Sequence, residues 1–185
     1  MNPKYLVLPA ILLASIFTFA QNDEFGKYAL FEKTAKRAEA AEPVVTNLPL
    51  KLDKGVRIGL VGNTLFDRMH QFGHLEALVQ QAHPGKELVV RNLSWAADEV
   101  DLQPRPANFA NAEQHLTAME ADVVLAAFGY NESFAGKEGL PAFRDRLTTY
   151  LEGIKAKAYN GNPEASTWAA TARIMLNMDE FITRE

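Results

Sequence analysis

Residues 56–64 read VRIGLVGNT, and this stretch decides the fold. The apolar run up to Val61 predicts a short buried strand, and Gly62 and Asn63 are residue types that commonly end a strand in a turn. Beyond Thr64, apolar residues recur at helical spacing as far as Val79. The stretch therefore predicts a strand, a tight turn and a helix in direct succession.

The same alternation of strand and helix continues along the chain. Residues 87–91 and 121–128 predict a second and a third strand, and residues 112–120 and 140–158 predict helices. The unbroken apolar run of the third strand indicates burial on both faces. We therefore expect an α/β protein, a three-layer flavodoxin-like sandwich with a mostly parallel sheet. With three recognisable strands, the expectation allows for an incomplete sheet.

Residues 1–20 have the layout of a secretory signal peptide. Lys4 supplies a positive charge, Tyr5–Phe19 is an uncharged apolar run, and Thr18 and Ala20 are small residues before an abruptly polar stretch. An uncleaved membrane anchor is the alternative. The apolar run has 15 residues, which is short for a membrane span, since a span needs about 20. We expect cleavage after Ala20, a secreted or periplasmic protein, and no membrane span after that cleavage.

The rest of the chain divides where its composition changes. Residues 21–54 predict an N-terminal surface helix and a linker, with the helix over 24–41 and ended by Pro43. Residues 55–160 predict one α/β domain, and residues 161–185 form an atypical C-terminal tail. In that tail we prefer a helix over 167–181 to a fourth strand at Ala172–Leu176.

Composition excludes several classes of function. The chain has 185 residues, 48% of them apolar, a net charge of −4 and no cysteine. A mildly acidic protein has no broad basic surface for nucleic acid. The lack of cysteine excludes disulfides, thiolate chemistry, Cys-ligated zinc, iron–sulfur clusters and covalently attached haem. No pattern predicts a cofactor or a metal, and no protein partner or oligomeric state is predicted.

Three loops are expected at the carboxyl ends of the strands, where parallel sheets place their chemistry. These loops are 62–64, 92–100 and 129–134. The hydroxyl of Thr64 is either a helix cap or a nucleophile. Asn131 is either a turn residue or a site residue whose side-chain amide donates to an oxyanion. The second loop offers backbone N–H groups.

The order and spacing of these loops resemble the SGNH hydrolase superfamily, the GDSL esterases and lipases. Residues 57–64 are similar to its first block, 90–98 to its second, and 128–132 to its third, Gly-x-Asn-Asp. The resemblance implies hydrolysis of carboxylic esters, including acetyl esters of carbohydrates. It implies Thr64 as the nucleophile, and the Ala97 N–H and Asn131 as oxyanion donors.

The chain departs from the family pattern at several positions. Thr64 stands where the family has Ser, Asn63 where it has Asp, and Ala97 where it has Gly. The family's Asp-x-x-His is absent, since the last histidine is His115. A Thr hydroxyl without a base is a poor nucleophile. The alternative is therefore a non-catalytic SGNH-like binding module or an inactive, truncated fragment.

Two other histidines stand four residues apart. His70 and His74 would share one face of the predicted helix, as metal ligands can. The residues between them lack the Glu of a zincin motif, and no third ligand is indicated. We therefore expect two surface histidines, neither of them placed to act as the base for Thr64.

Overall fold

The computed structural model describes residues 30–43 and 49–161, together with the backbone of 168–170. The strands of this part are β1 (Glu39–Ala40), β2 (Arg57–Gly62), β3 (Val89–Asn92), β4 (Val123–Ala127), β5 (Lys157–Ala158) and β6 (Trp168–Ala170). Its α-helices are α1 (Thr64–Arg68), α2 (His74–Ala82), α3 (Ala112–Ala118) and α4 (Leu140–Lys155). Short 3₁₀ turns cover Met69–Gln71, Glu132–Ala135 and Lys137–Gly139.

The main sheet of the described residues runs in the order β3-β2-β4-β6, and every neighbouring pair is parallel. Ile58 of β2 is paired with Val90 of β3 on one side and with Val123 of β4 on the other. The expectation of an α/β protein with a parallel sheet is confirmed. The three strands predicted from the sequence are β2, β3 and β4, which are neighbours in this sheet.

Apolar side chains cover both faces of this sheet. Ile58 and Leu60 of β2 pack in one cluster with Phe66 of α1. Val61 packs on the opposite face with Leu116 of α3 and Ile154 of α4. Burial of a side chain as large as Phe66 contributes about 1.5–3 kcal/mol. Helices on both sides therefore explain why these strands read as continuous apolar runs.

Gly62 lets the end of β2 lie directly against β4. Its φ of +146° is a conformation that side-chain-bearing residues rarely adopt. A Cβ at this position would collide with the carbonyl of Ala127. The Asn63 N–H donates to that same carbonyl at 3.1 Å, so the first and third loops leave the sheet side by side.

The helix predicted after Thr64 is two helices. α1 gives way to the 3₁₀ turn Met69–Gln71, and α2 begins only at His74. Gly73 supplies the break, since glycine is unfavourable inside a helix. Phe72 and Leu78, placed on the apolar stripe by their spacing, are 56% and 62% exposed.

α4 follows the prediction more closely. It begins with Pro141 in its first turn, and Phe143 and Ile154 are buried. It ends at Lys155 rather than near Ala158, because residues 157–158 form β5 instead. β5 pairs antiparallel with β1, with Glu39 opposite Ala158.

The predicted surface helix over 24–41 is wrong for its described part, residues 30–41. This segment contains a turn and strand β1. Its local preference for helix is overridden by tertiary contacts, since Gln114 Nε2 donates to the carbonyls of Glu32 and Ala35, both at 2.9 Å. Residues 24–29 and the predicted signal peptide lie outside the described residues.

The tail also differs from its prediction. Residues 168–170 form strand β6 beside β4, so the helix predicted over 167–181 does not hold there. The sheet offers an open edge whose backbone groups need partners, and pairing with it competes with local helix formation. The alternative fourth strand at Ala172–Leu176 lies outside the described residues.

Candidate functional site

The three predicted loops meet at one edge of the sheet. β2 lies between β3 and β4, so the chain moves to one side after β2 and to the other side after β3. Open α/β sheets bind ligands outside the carboxyl ends of the strands at such a switch point. Loops 62–64, 92–100 and 129–134 all start from these strand ends.

One backbone carbonyl joins the three loops. The Ala96 oxygen accepts a hydrogen bond from Thr64 Oγ1 at 3.4 Å and from Asn131 Nδ2 at 3.0 Å. The structure therefore brings Thr64, the second loop and Asn131 together. Thr64 is the first residue of α1 rather than its cap, since Asn63 occupies the cap position.

Asn131 ties the third loop to the second. Its side-chain amide donates to the carbonyls of Ala96 and Asp98, both at 3.0 Å. An amide nitrogen carries two hydrogens, so both are in use. Donation to an oxyanion stays a prediction, and it requires one of these two bonds to be exchanged for the ligand.

Ala97 lies between the two carbonyls that Asn131 holds. Ala97 is exposed, and no described residue accepts a hydrogen bond from its N–H. In a trans peptide the N–H points opposite to the C=O, so the Ala97 N–H points away from Thr64 and Asn131, which both donate to the Ala96 oxygen. The role of Ala97 as an oxyanion donor stays a prediction, and it requires this peptide to rotate.

Glu132 is the residue that the sequence analysis missed. Its carboxylate is buried and accepts from Asn63 Nδ2 at 3.2 Å and from the backbone N–H groups of Gly129 at 2.9 Å and Val100 at 3.0 Å. These donors belong to the first, third and second loops respectively. Glu132 follows Asn131 in the third block of the resemblance, but its burial and partners are not visible in a sequence.

A buried ion pair fixes the far end of the second loop. Arg105 makes a bidentate contact with Asp98, at 2.6 and 2.7 Å, and both side chains are almost fully buried. The guanidinium also stands 4.4 Å from the centre of the Trp95 ring, a cation–π contact. Trp95 precedes Ala96, so the ion pair holds the segment that carries the shared carbonyl.

His115 lies near this pair without reaching Thr64. Its ring is 5.3 Å from that of Phe109, which in turn contacts Trp95. Burial lowers the pKa of His115, and the positive charge of Arg105 lowers it further. His115 Nε2 is buried without a hydrogen-bond partner among the described residues. The hydrogen bond given for the Thr64 hydroxyl goes to Ala96 and not to a histidine.

His70 and His74 are both exposed, as predicted. They do not share a helix face, because the break at Gly73 puts His70 in a 3₁₀ turn and His74 at the start of α2. His74 stacks on Phe72 with ring centres 6.0 Å apart. In the described part of the chain, no group of three or more metal-ligating side chains lies together.

The helices of the described ranges contain no segment both long and apolar enough to cross a membrane. No protein-family model matches this chain, and no curated protein matches it.

Proposed function

We propose that this chain is an SGNH-type hydrolase domain that acts on carboxylic esters, including acetyl esters of carbohydrates. The observation that carries the proposal is that Thr64 and Asn131 both donate to the Ala96 carbonyl, which belongs to the same peptide as the Ala97 N–H. These are the three residues that the resemblance assigns to catalysis.

The strand order supports the same proposal. Numbered along the chain, the four parallel strands of the described sheet run 2-1-3-4. A flavodoxin-like doubly wound sheet runs 2-1-3-4-5, and its ligand site lies at the switch between strands 1 and 3. In this chain that switch lies between β2 and β4, where Thr64 and Asn131 follow. The apolar clusters on both faces agree with a three-layer, flavodoxin-like arrangement.

The proposed chemistry is acyl transfer through Thr64. The Thr64 oxygen bonds to the ester carbonyl carbon and its proton goes to solvent, which gives a tetrahedral oxyanion. One Asn131 N–H and the Ala97 N–H, once its peptide has rotated, stabilise this oxyanion. The C–O bond to the alcohol then breaks, the leaving alkoxide takes a proton from solvent, and water hydrolyses the acyl–threonine ester. Turnover is slow because no described histidine bonds to Thr64, and its methyl group restricts rotation about χ1.

A non-catalytic binding module is the second candidate. It is favoured by the engagement of both Asn131 hydrogens, which leaves that amide without a free donor. Such a module would hold the ester at the same loops without cleaving it. The two candidates therefore differ in turnover and not in the place of binding.

Removal of the Thr64 hydroxyl tests the proposal. Thr64→Val keeps the side-chain shape, so we expect hydrolysis of p-nitrophenyl acetate to fall about tenfold or more, toward the rate left by oxyanion donors alone. Thr64→Ser should raise the rate, because it removes the restricting methyl group. Thr117→Val on α3 is the matched control, since its hydroxyl donates to the Glu113 carbonyl of the same helix.

A fluorophosphonate probe separates the two candidates. Attack by Thr64 displaces fluoride and adds the phosphonyl group to its oxygen, which peptide mass spectrometry detects. Labelling of Thr64 supports the hydrolase. Ester binding with neither labelling nor turnover supports the binding module, and activity that survives in Thr64→Val contradicts the nucleophile.

We also propose export. It rests on the sequence of residues 1–20, and mass spectrometry of exported protein is expected to find Gln21 at the N-terminus. An intact Met1 in a membrane fraction would favour the anchor instead.

A further inference from the structure

A separate cavity of about 360 Å³ lies on the α3–α4 side of the sheet. Its walls come from α3, α4, the chain around β5 and the segment 100–103. None of Thr64, Ala97 and Asn131 lines it. Its volume is within the range of about 300–1,000 Å³ that is usual for small-molecule sites.

The lining combines apolar and polar groups. Leu116 and Ile154 are buried and apolar, and Tyr150 and Tyr159 contribute aromatic rings. Gln103, Asn111 and Thr149 add neutral hydrogen-bonding groups. A ligand with one apolar face and several hydroxyl groups would satisfy both parts of this lining.

The charges around the cavity are already paired. Glu113 contacts Lys157 at 2.5 Å, and Asp101 contacts Arg146 at 3.3 Å. A charged ligand would have to compete with these pairs, whereas a neutral one would leave them intact. The electrostatics therefore favour a neutral ligand.

The two tyrosines stay uncharged. Burial raises the pKa of Tyr150 to about 12 and raises that of Tyr159 as well. Tyr150 bonds to the side chain of Gln103, and its ring packs edge-on against Phe128 at 5.3 Å. A ring held in this way offers a fixed apolar surface beside a protonated hydroxyl.

The volume sets the size of the ligand. At about 360 Å³ the cavity lies at the small end of the usual range for small-molecule sites, so it fits a small ligand and not an extended one. A hexose is a small molecule that carries neutral hydroxyls and presents an apolar C–H face. We infer that this cavity binds one neutral hexose unit, with its C–H face on the tyrosines and its hydroxyls on Gln103, Asn111 and Glu113.

Calorimetric titration of the full chain with neutral and charged sugars tests the inference. The neutral probes are glucose, galactose and mannose, and the charged probes are glucuronate and glucosamine. We expect one neutral sugar to bind saturably at one site, and glucuronate and glucosamine to bind about tenfold more weakly, because the rim charges are paired. No saturable binding by any neutral sugar, or equal binding of the charged ones, would overturn the inference.

Two cavity variants, Gly153→Leu and Tyr150→Phe, test whether the sugar binds in this cavity. Gly153 lines the cavity, and a Cβ built there meets no atom within 4 Å, so Gly153→Leu fills space without a clash. It also removes a glycine from a helix, so the melting temperature should not fall. We expect about tenfold weaker sugar binding, while Thr148→Leu, an exposed position on the same helix, binds like the parent.

Tyr150→Phe keeps the ring and removes the hydroxyl, and we expect several-fold weaker binding. If both cavity variants bind the sugar as the parent does, the site is elsewhere and the inference is wrong. A disaccharide of the same sugar tests whether the bound hexose is a free monosaccharide or the end of a glycan chain. Equal binding indicates the end of a glycan chain, and loss of binding indicates the free monosaccharide.

Discussion

The loops of the candidate site and helix α2 are stabilised by different kinds of contact. The loops bury polar side chains, with Asn63 and Ser94 1% exposed, Asp98 2% and Glu132 8%. α2 has nine residues and buries none of them fully. It touches the core through the half-buried Leu75 and Val79.

The difference shows how each region is specified. A buried polar group is costly unless its particular partners are present, so the loops are confined to one arrangement. Apolar contacts are non-directional, so α2 can shift or change sequence with small loss. Removal of a contact should therefore cost more stability in the loops than on α2.

The largest loss of stability is expected when the buried ion pair is broken. Arg105→Met leaves the Asp98 carboxylate buried without its partner, so the free energy of unfolding should fall by about 3–5 kcal/mol. Urea unfolding followed by tryptophan fluorescence measures the change. Arg144→Met, at an exposed position on α4, is the matched control and should change stability little.

A second variant checks the cause of that loss. Asp98→Leu combined with Arg105→Met removes both charges, so it should recover most of the stability. If the double variant is no more stable than Arg105→Met, the loss comes from packing and not from an unpaired charge.

An intermediate effect is expected at Glu132. Glu132→Gln places an NH₂ group where the carboxylate accepted an N–H, because Oε1 and Oε2 both accept from donors. One buried donor then faces another, which costs about 1–3 kcal/mol. Hydrogen exchange of the amide that loses its acceptor should accelerate, which is Val100 if the NH₂ group replaces Oε1 and Gly129 if it replaces Oε2.

Glu138→Gln is the control for that substitution, since Glu138 is exposed in the neighbouring 3₁₀ turn. It should leave both amides as protected as in the parent. Unchanged protection in Glu132→Gln itself would mean that Glu132 does not join the three loops.

The smallest effect is expected on α2. Leu78 is 62% exposed, so Leu78→Ala should change the unfolding free energy by less than about 0.5 kcal/mol. The same substitution at Leu116, which is 1% exposed, should cost about 2–5 kcal/mol. A loss at Leu78 as large as the one at Leu116 would show that α2 is packed as tightly as the core.

The sequence by itself determined the parallel α/β core and the loops to inspect. Buried strands read as unbroken apolar runs, and the turn after residue 61 is marked by Gly62. These signals are local, so a single sequence carries them. The three loops were expected together because the carboxyl ends of parallel strands share one edge, and the hydrogen bonds to the Ala96 carbonyl agree with that expectation.

Only the tertiary structure decided which polar groups hold those loops. Glu132 bonds to residues 69 and 32 positions away, and no spacing in a sequence signals a carboxylate that collects donors from three loops. The same holds for residues 30–41 and 168–170, where pairing with distant backbone replaced the helix that local composition favours. Apolar periodicity is a property of residues close together in the sequence. Hydrogen-bond partners and sheet edges form only when distant segments come together in the fold.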